Sequence, residues 1–384
     1  MLKHIIRGNN QPSLKFFDHT TERILPDIWA KLESGLWSDF SIDNALYNDS
    51  IGEVRQDNWK QVFPYLTIIN PGFIWDNNAN TLKEDLYIPN YTNADIDSFL
   101  TKVYEFFYQF ENERIGVHLS GGFDSGLIIC LLKYFHIPFV AVGLYSDRFE
   151  FRTEHRIQEI LADYTDDAVL LNFDDYPFYA NLDKKPKHQV PDANIKMLDA
   201  STAVAKTFAS KGCDVVFSGQ GGDTLFVDSI NWSIFRGYNI GNEFLFPWEQ
   251  DFIYKPLGIE LISMYSDTNI IDQVTSLRFG QPEDPLKLWA RHFFRKFLPV
   301  ELAEFTYSSD FFGLSMDGLN QAKPHIRSLF EEAYDYIKHP IFAPAGIRDT
   351  MKIDVFSLEY RTYCELCTKI SIATWLHALF RKDD

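Results

Sequence analysis

The stretch HLSGGFDSGLII (His118–Ile129) sets two serines, two adjacent glycines and one aspartate between apolar runs. A tight turn needs a glycine, but it does not need Asp124 and Ser125 as well. Ile115–Leu119 reads as a short apolar strand and Leu127–Phe135 as a helix, so the loop lies at the carboxyl edge of a strand. Ligands of open α/β sheets bind there. A helix start offers free amides and the positive end of a dipole. Gly121 and Gly122 leave the backbone bare, and Ser120 and Ser125 add hydroxyls, a set that suits a phosphate or pyrophosphate. The loop is neither GxxxxGK[ST], since no lysine follows the glycines, nor GxGxxG. Its distinguishing residue is Asp124, which would repel phosphates unless a cation lay between them. Mg²⁺, hard and oxygen-seeking, is the natural bridge.

VVFSGQGGDTLF (Val215–Phe226) has the same character: strand, Ser-Gly, glycines, then Asp223. Two strand-end aspartates on neighbouring loops would grip one metal ion. Further strands are read at Phe139–Leu144 and Ala168–Leu171, and further helices at Thr153–Tyr164 and Met197–Lys211, the latter ending at Gly212. This alternation predicts an α/β fold, a parallel sheet with helices on both faces. Beyond residue 230 the chain reads as mainly helical, near 286–298, 325–338 and 354–381. Asp95 is suited to cap a helix carrying Phe99, Val103, Phe106, Phe107 and Phe110. Residues 1–95, with irregular spacing and a strand at Ile69–Asn78 turned by Pro-Gly, read as a separate N-terminal region. Residues 96–384 form the main domain.

The 384 residues carry a formal net charge of −18, which argues against a nucleic-acid partner. The densest basic run, Lys184, Lys185 and Lys187, reads as a solvated loop. No window approaches 18 uninterrupted apolar residues, so no membrane partner is expected. The start lacks the apolar run of a signal peptide, and four cysteines are no disulfide framework, which points to the cytoplasm. Cys364 and Cys367 form a C-x-x-C without a second pair, so they read as helix packing. Leu366, Ile370, Trp375, Leu376 and Leu379 read as that helix's buried face.

The paired motifs resemble the synthetase domain of asparagine synthetase B and its relatives, the PP-loop ATP pyrophosphatases. Beta-lactam synthetase and the lasso-peptide cyclases share that domain. The resemblance spans roughly residues 68–320. It implies the HUP-like adenine nucleotide alpha hydrolase fold with ATP and Mg²⁺ as cofactors. Ser120, Gly121, Gly122, Asp124 and Ser125 would hold the pyrophosphate part of ATP. Val142 and Gly143 would meet the base, Ser218 and Gly219 would lie near the nucleotide, and Asp124 and Asp223 would be the metal ligands. Glu154 sits in the following helix as the family pattern expects. DPLKLWARHFFRKFLPVEL (Asp284–Leu302) is similar to the family's Leu-Pro helix, where Lys287 and Arg291 match basic positions. With Asp124 and Asp223 these make the expected catalytic set.

The chain also departs from the family. The family's glutaminase uses a cysteine at position 2, and here the residue is Leu2, so residues 1–95 read as a trimmed remnant of a glutaminase-like domain. Gln220 and Thr224 stand where glutamates are usual. Ser309 stands where the family has a lysine, with Lys323, Arg327 and Arg348 as unranked substitutes. The expected function is an ATP-dependent amide-forming ligase, acting through an acyl-adenylate on a small-molecule or peptide substrate in peptide or natural-product modification. The amine would come from solution, from the substrate itself or from a partner protein, and a homodimer stays open. The alternatives are a catalytically altered ATP-binding or regulatory homologue and a PP-loop tRNA-modifying enzyme.

Overall fold

The structure is a computed structural model. It describes residues 15–18, 20–21, 23–25, 66–69, 73–76, 81–84, 94–186, 193–227, 249–279, 281, 284, 286–305, 312–344 and 360–381. The chain divides into two compact units: one of residues 1–13, 71–174 and 202–309, the other of residues 14–70, 175–201 and 310–384.

The first unit contains the hairpin β4 (Phe73–Asp76) and β5 (Thr81–Glu84), and then a parallel sheet. Its strands are β6 (Ile115–His118), β7 (Val140–Tyr145), β8 (Ala168–Asn172), β9 (Val215–Ser218) and β10 (Glu260–Ser263), in the order β10-β9-β6-β7-β8. Helix α1 (Ile96–Tyr108) leads in, α2 (Phe123–Tyr134) follows β6, α3 (Arg152–Ala162) follows β7, and α4 (Leu198–Ser210) precedes β9. The short α5 (Gly222–Phe226) follows β9, and α6 (Thr268–Arg278), α7 (Leu288–Phe293) and α8 (Val300–Glu304) come after it.

Neighbouring residues of a strand face opposite ways. Phe217 meets Phe106, Phe107 and Phe110 at ring distances of 5.5, 5.5 and 5.3 Å, which places α1 and the turn after it on one face. Val216 and Gly116 face Phe208 of α4, and a Cβ on Gly116 would sit 2.6 Å from that ring. Helices therefore cover both faces, as expected, and β9 is buried throughout. Asp95 starts α1 through a reciprocal cap: its carboxylate accepts from the Ser98 amide at 2.8 Å, and Ser98 Oγ accepts from the Asp95 amide at 2.9 Å.

Several boundaries differ from the sequence reading. Helix α2 begins at Phe123, so Asp124 and Ser125 belong to its first turn and not to a loop before it. Strand β10 lies in a region read as helical; its four residues pair in parallel with β9. The helix expected near 286–298 is shorter, Leu288–Phe293, and a separate short helix, Val300–Glu304, follows Pro299. The strand expected at Ile69–Asn78 is two strands, one ending at Ile69 and one beginning at Phe73, with different partners.

The second unit holds the antiparallel sheet β2-β1-β3 (Arg23–Leu25, Lys15–Asp18, Leu66–Ile69) and the long helices α9 (Phe312–Ile337) and α10 (Tyr360–Phe380). Helix α9 runs through Pro324 and starts well before the expected 325. Leu366, Ile370, Trp375 and Leu376 are buried as expected, and Leu379 is half-buried. The Cys367 thiol meets the Tyr179 hydroxyl at 3.1 Å. One reading is corrected here. Lys185 is not solvated but 1% exposed, and its ammonium lies 3.0 Å from Asp199, whose other oxygen accepts from Asn181 at 2.7 Å. No helix among the described residues is long and apolar enough to cross a membrane.

Phe217 is fully buried at the centre of the aromatic cluster on α1. Phe217→Ala is expected to destabilise the protein by about 3–5 kcal/mol, read by urea denaturation. A loss under about 1 kcal/mol would contradict this packing.

Candidate functional site

Strands β6 and β9 are parallel neighbours, so the loops leaving their carboxyl ends lie side by side. Each turns at once into a helix. Gly121 turns the first at φ +79°, against the backbone of α3: a Cβ there would sit 2.5 Å from the Glu154 carbonyl oxygen. The second loop packs directly on the first. A Cβ on Gly219 would lie 2.7 Å from the Ser125 amide nitrogen, and one on Gly222 would lie 2.3 Å from the Asp124 carboxyl carbon. A side chain at either position would push the two loops apart.

This packing brings Asp124 and Asp223 to one point. Lys287 marks it: its ammonium lies 2.5 Å from Asp124 Oδ2 and 2.5 Å from Asp223 Oδ1. Asp124 is 17% exposed and Lys287 8%, whereas Asp223 is 84% exposed, so the pair spans from buried to open. Lys287 holds its place at φ +55°, the left-handed region that costs a non-glycine residue of order 1–3 kcal/mol. Asp284 fixes that turn, its carboxylate accepting from the amides of Leu286 at 3.0 Å and Leu288 at 2.5 Å.

Burial pushes the Asp124 carboxyl up to about 6, because desolvation and the Asp223 charge together outweigh the Lys287 ammonium. Burial would pull the Lys287 ammonium down, but the two carboxylates outweigh it and hold it above the ordinary lysine range. Asp124 Oδ1 is buried with no hydrogen-bond partner, so one strong acceptor stands ready for a cation. Two hard carboxylates converging on one positive centre fit Mg²⁺. Among the described residues no group of three or more His, Cys, Asp or Glu side chains could enclose a metal ion.

The other expected residues divide. Gly122 begins α2 without a side-chain cap, leaving its first amides free for an anion. Ser120 is exposed at the loop. The Ser125 hydroxyl instead turns inward, 2.6 Å from Ser120 Oγ and accepting from the Ser120 amide at 3.3 Å, so it props the loop. Ser218 is 2% exposed and accepts from the Gln220 amide at 3.2 Å. Val142 is buried within β7, and its carbonyl accepts from the Leu119 amide at 2.8 Å. Gly143 is needed where a Cβ would come within 2.0 Å of the Leu119 carbonyl oxygen. Arg291 reaches neither carboxylate with a hydrogen bond: it donates to the carbonyls of Leu286, at 2.9 Å, and of Leu302, and stacks 5.1 Å over Phe123. Its charge acts on Asp124 through space. The Ser309 position and Arg348 lie outside the described residues, as does the Thr224 side chain.

Three supporting residues escape a sequence reading. Tyr265 donates its hydroxyl to the Asp124 carbonyl at 2.6 Å, and its ring meets Phe226 at 5.3 Å. Gln158 donates to the carbonyls of Leu119 and Leu144, both at 2.8 Å, tying the ends of β6 and β7. Phe226 of α5 also meets Phe123 of α2 edge-on at 5.3 Å, so the helices carrying the two aspartates share a joint. Phe226 ends the VVFSGQGGDTLF stretch, but no local pattern marks the role of any of the three, because each acts on distant backbone or a distant ring.

Residues 110–255 match the family model for asparagine synthase. No curated protein matches the chain. The matched span includes both aspartates and ends before Lys287.

A carboxyl raised above its unfolded value makes folding favour the protonated form. Its stabilising contribution is complete below the unfolded value and lost as pH rises through about 6. Relative to Asp124→Asn, the ligand-free protein should therefore lose on the order of 2–3 kcal/mol between pH 4 and pH 6.5, measured by urea denaturation. A difference independent of pH would contradict this environment for Asp124.

Proposed function

We propose that this chain, which carries an asparagine-synthetase-like synthetase domain over residues 110–255, is an ATP-dependent ligase that forms an amide through an acyl-adenylate. The observation that carries this reading is the convergence of Asp124 and Asp223 on a single cation beside the uncapped start of α2. Mg²⁺, when bound, would be held by Asp124 and Asp223 and would offset the charge of the phosphates.

The chain's own residues then have these tasks. The first-turn amides of α2 and the Ser120 hydroxyl bind the β- and γ-phosphates. Lys287 supplies a positive charge beside them, of the kind that stabilises a departing pyrophosphate. A substrate carboxylate oxygen attacks the α-phosphorus, and the bond to the pyrophosphate breaks. The amine nitrogen then attacks the acyl carbon, a C–N bond forms, AMP leaves and the nitrogen gives up a proton. Holding the reactants in line is the protein's main contribution. The amine comes from solution, from the substrate itself or from a partner. Such a ligase suits modification of a peptide or natural-product precursor in the cytoplasm.

Gln220, Thr224 and Ser309, at positions where the family carries two acids and a lysine, favour a second reading. In it the chain binds ATP and regulates without turnover.

Asp124→Asn should abolish the Mg²⁺-dependent part of ATP binding, read by calorimetry. Wild type incubated with ATP, Mg²⁺ and candidate acids should release pyrophosphate and AMP. ATP binding without turnover across those acids would sink the ligase in favour of the regulator. Unchanged Mg²⁺-dependent binding in the variant would refute the site.

A further inference from the structure

Asp223 is 84% exposed and sits on α5, a helix of only five residues. A helix this short does not hold itself together, because nucleation outweighs its few internal bonds. Its last carbonyls have no partner within the helix. Three side-chain N–H groups take them. Arg278 donates to the Leu225 carbonyl at 3.2 Å and to the Val227 carbonyl at 2.5 Å. The Trp289 indole donates to the Phe226 carbonyl at 3.0 Å. Arg278 closes α6 and is 2% exposed, although a guanidinium is costly to take out of water. A cation at a helix C-terminus is also favoured by the helix dipole. Trp289 lies two residues after Lys287, so the turn that presents the ammonium to the aspartates also holds the far end of α5.

We propose that Arg278, assisted by Trp289, is a positioning residue for Asp223: by clasping the carbonyl end of α5 it sets the distance between Asp223 and Asp124, and so the affinity of the pair for a divalent cation carried on a nucleotide. This rests on the nucleotide-binding reading above. Each residue acts on backbone carbonyls at the end of α5. The influence of Arg278 falls on the metal-dependent part of binding, because the amides and hydroxyl that meet the phosphates belong to the β6–α2 turn.

The test is equilibrium binding of a fluorescent N-methylanthraniloyl ATP to the full chain, with Mg²⁺ and with EDTA. Wild type binds more tightly with Mg²⁺. Arg278→Gln should keep its EDTA affinity within about twofold of wild type and lose at least tenfold of the Mg²⁺ enhancement. Arg278→Lys, which keeps one charged donor, should recover part of it. Should Arg278→Gln fail to fold, Trp289→Phe removes the indole donor alone and should cut the enhancement about threefold, again with the EDTA affinity kept. An undiminished enhancement in the folded variants would overturn the proposal. So would a parallel fall of both affinities, which marks a general structural role. Absence of any Mg²⁺ enhancement in wild type would overturn the nucleotide reading itself.

Discussion

One ammonium shared by two carboxylates organises the site. Each is 2.5 Å from Lys287 Nζ, so the two oxygens lie within about 5 Å of each other. Like charges at that distance repel by roughly 3 kcal/mol at an effective dielectric of 20. Partial burial of Asp124 raises the cost of charging it further. A cation between them is therefore a requirement of the geometry. Lys287 meets it, and its left-handed backbone is strain that the fold carries at this point.

Everything around that point holds it still. Glycines let the β9–α5 turn lie against Asp124, and Phe123, Phe226 and Tyr265 join the two aspartate-bearing helices in one aromatic cluster. The same cluster anchors α7, since Phe226 packs on Trp289 at 6.0 Å and Phe294 at 6.3 Å. Arg291 spends its hydrogen bonds on backbone carbonyls beside this cluster. Its charge still acts on Asp124 through space. The site is thus a product of backbone approach and ring packing, with few side chains left to meet a ligand.

The sequence carried the parts of this that are local. Strand, glycine turn and helix, met twice, place Asp124 and Asp223 at neighbouring strand ends, and the observed parallel pairing of β6 and β9 agrees. Helix α2 starts earlier than the sequence pattern places it, because glycines and an aspartate read as a loop, whereas Asp124 is a helix residue in a first turn. Strand β10 was hidden because ELIS is four residues long inside helical surroundings. Arg278, Trp289, Tyr265 and Gln158 were invisible, since each bonds backbone carbonyls far away in the chain and backbone leaves no trace in a pattern of side chains. Lys185 misled for a related reason: its neighbours in sequence are lysines and a proline, but its neighbour in space is Asp199.

The convergence of Asp124, Asp223 and Lys287 is most directly tested by a crystal structure of the protein with Mg²⁺ and α,β-methylene ATP, which resists cleavage between the α- and β-phosphates. The account predicts a metal ion between the two aspartates, phosphates against the first turn of α2, and the Lys287 ammonium moved off the carboxylates onto phosphate oxygen. A nucleotide bound elsewhere, or Lys287 still seated between the two aspartates with the nucleotide in place, would contradict it.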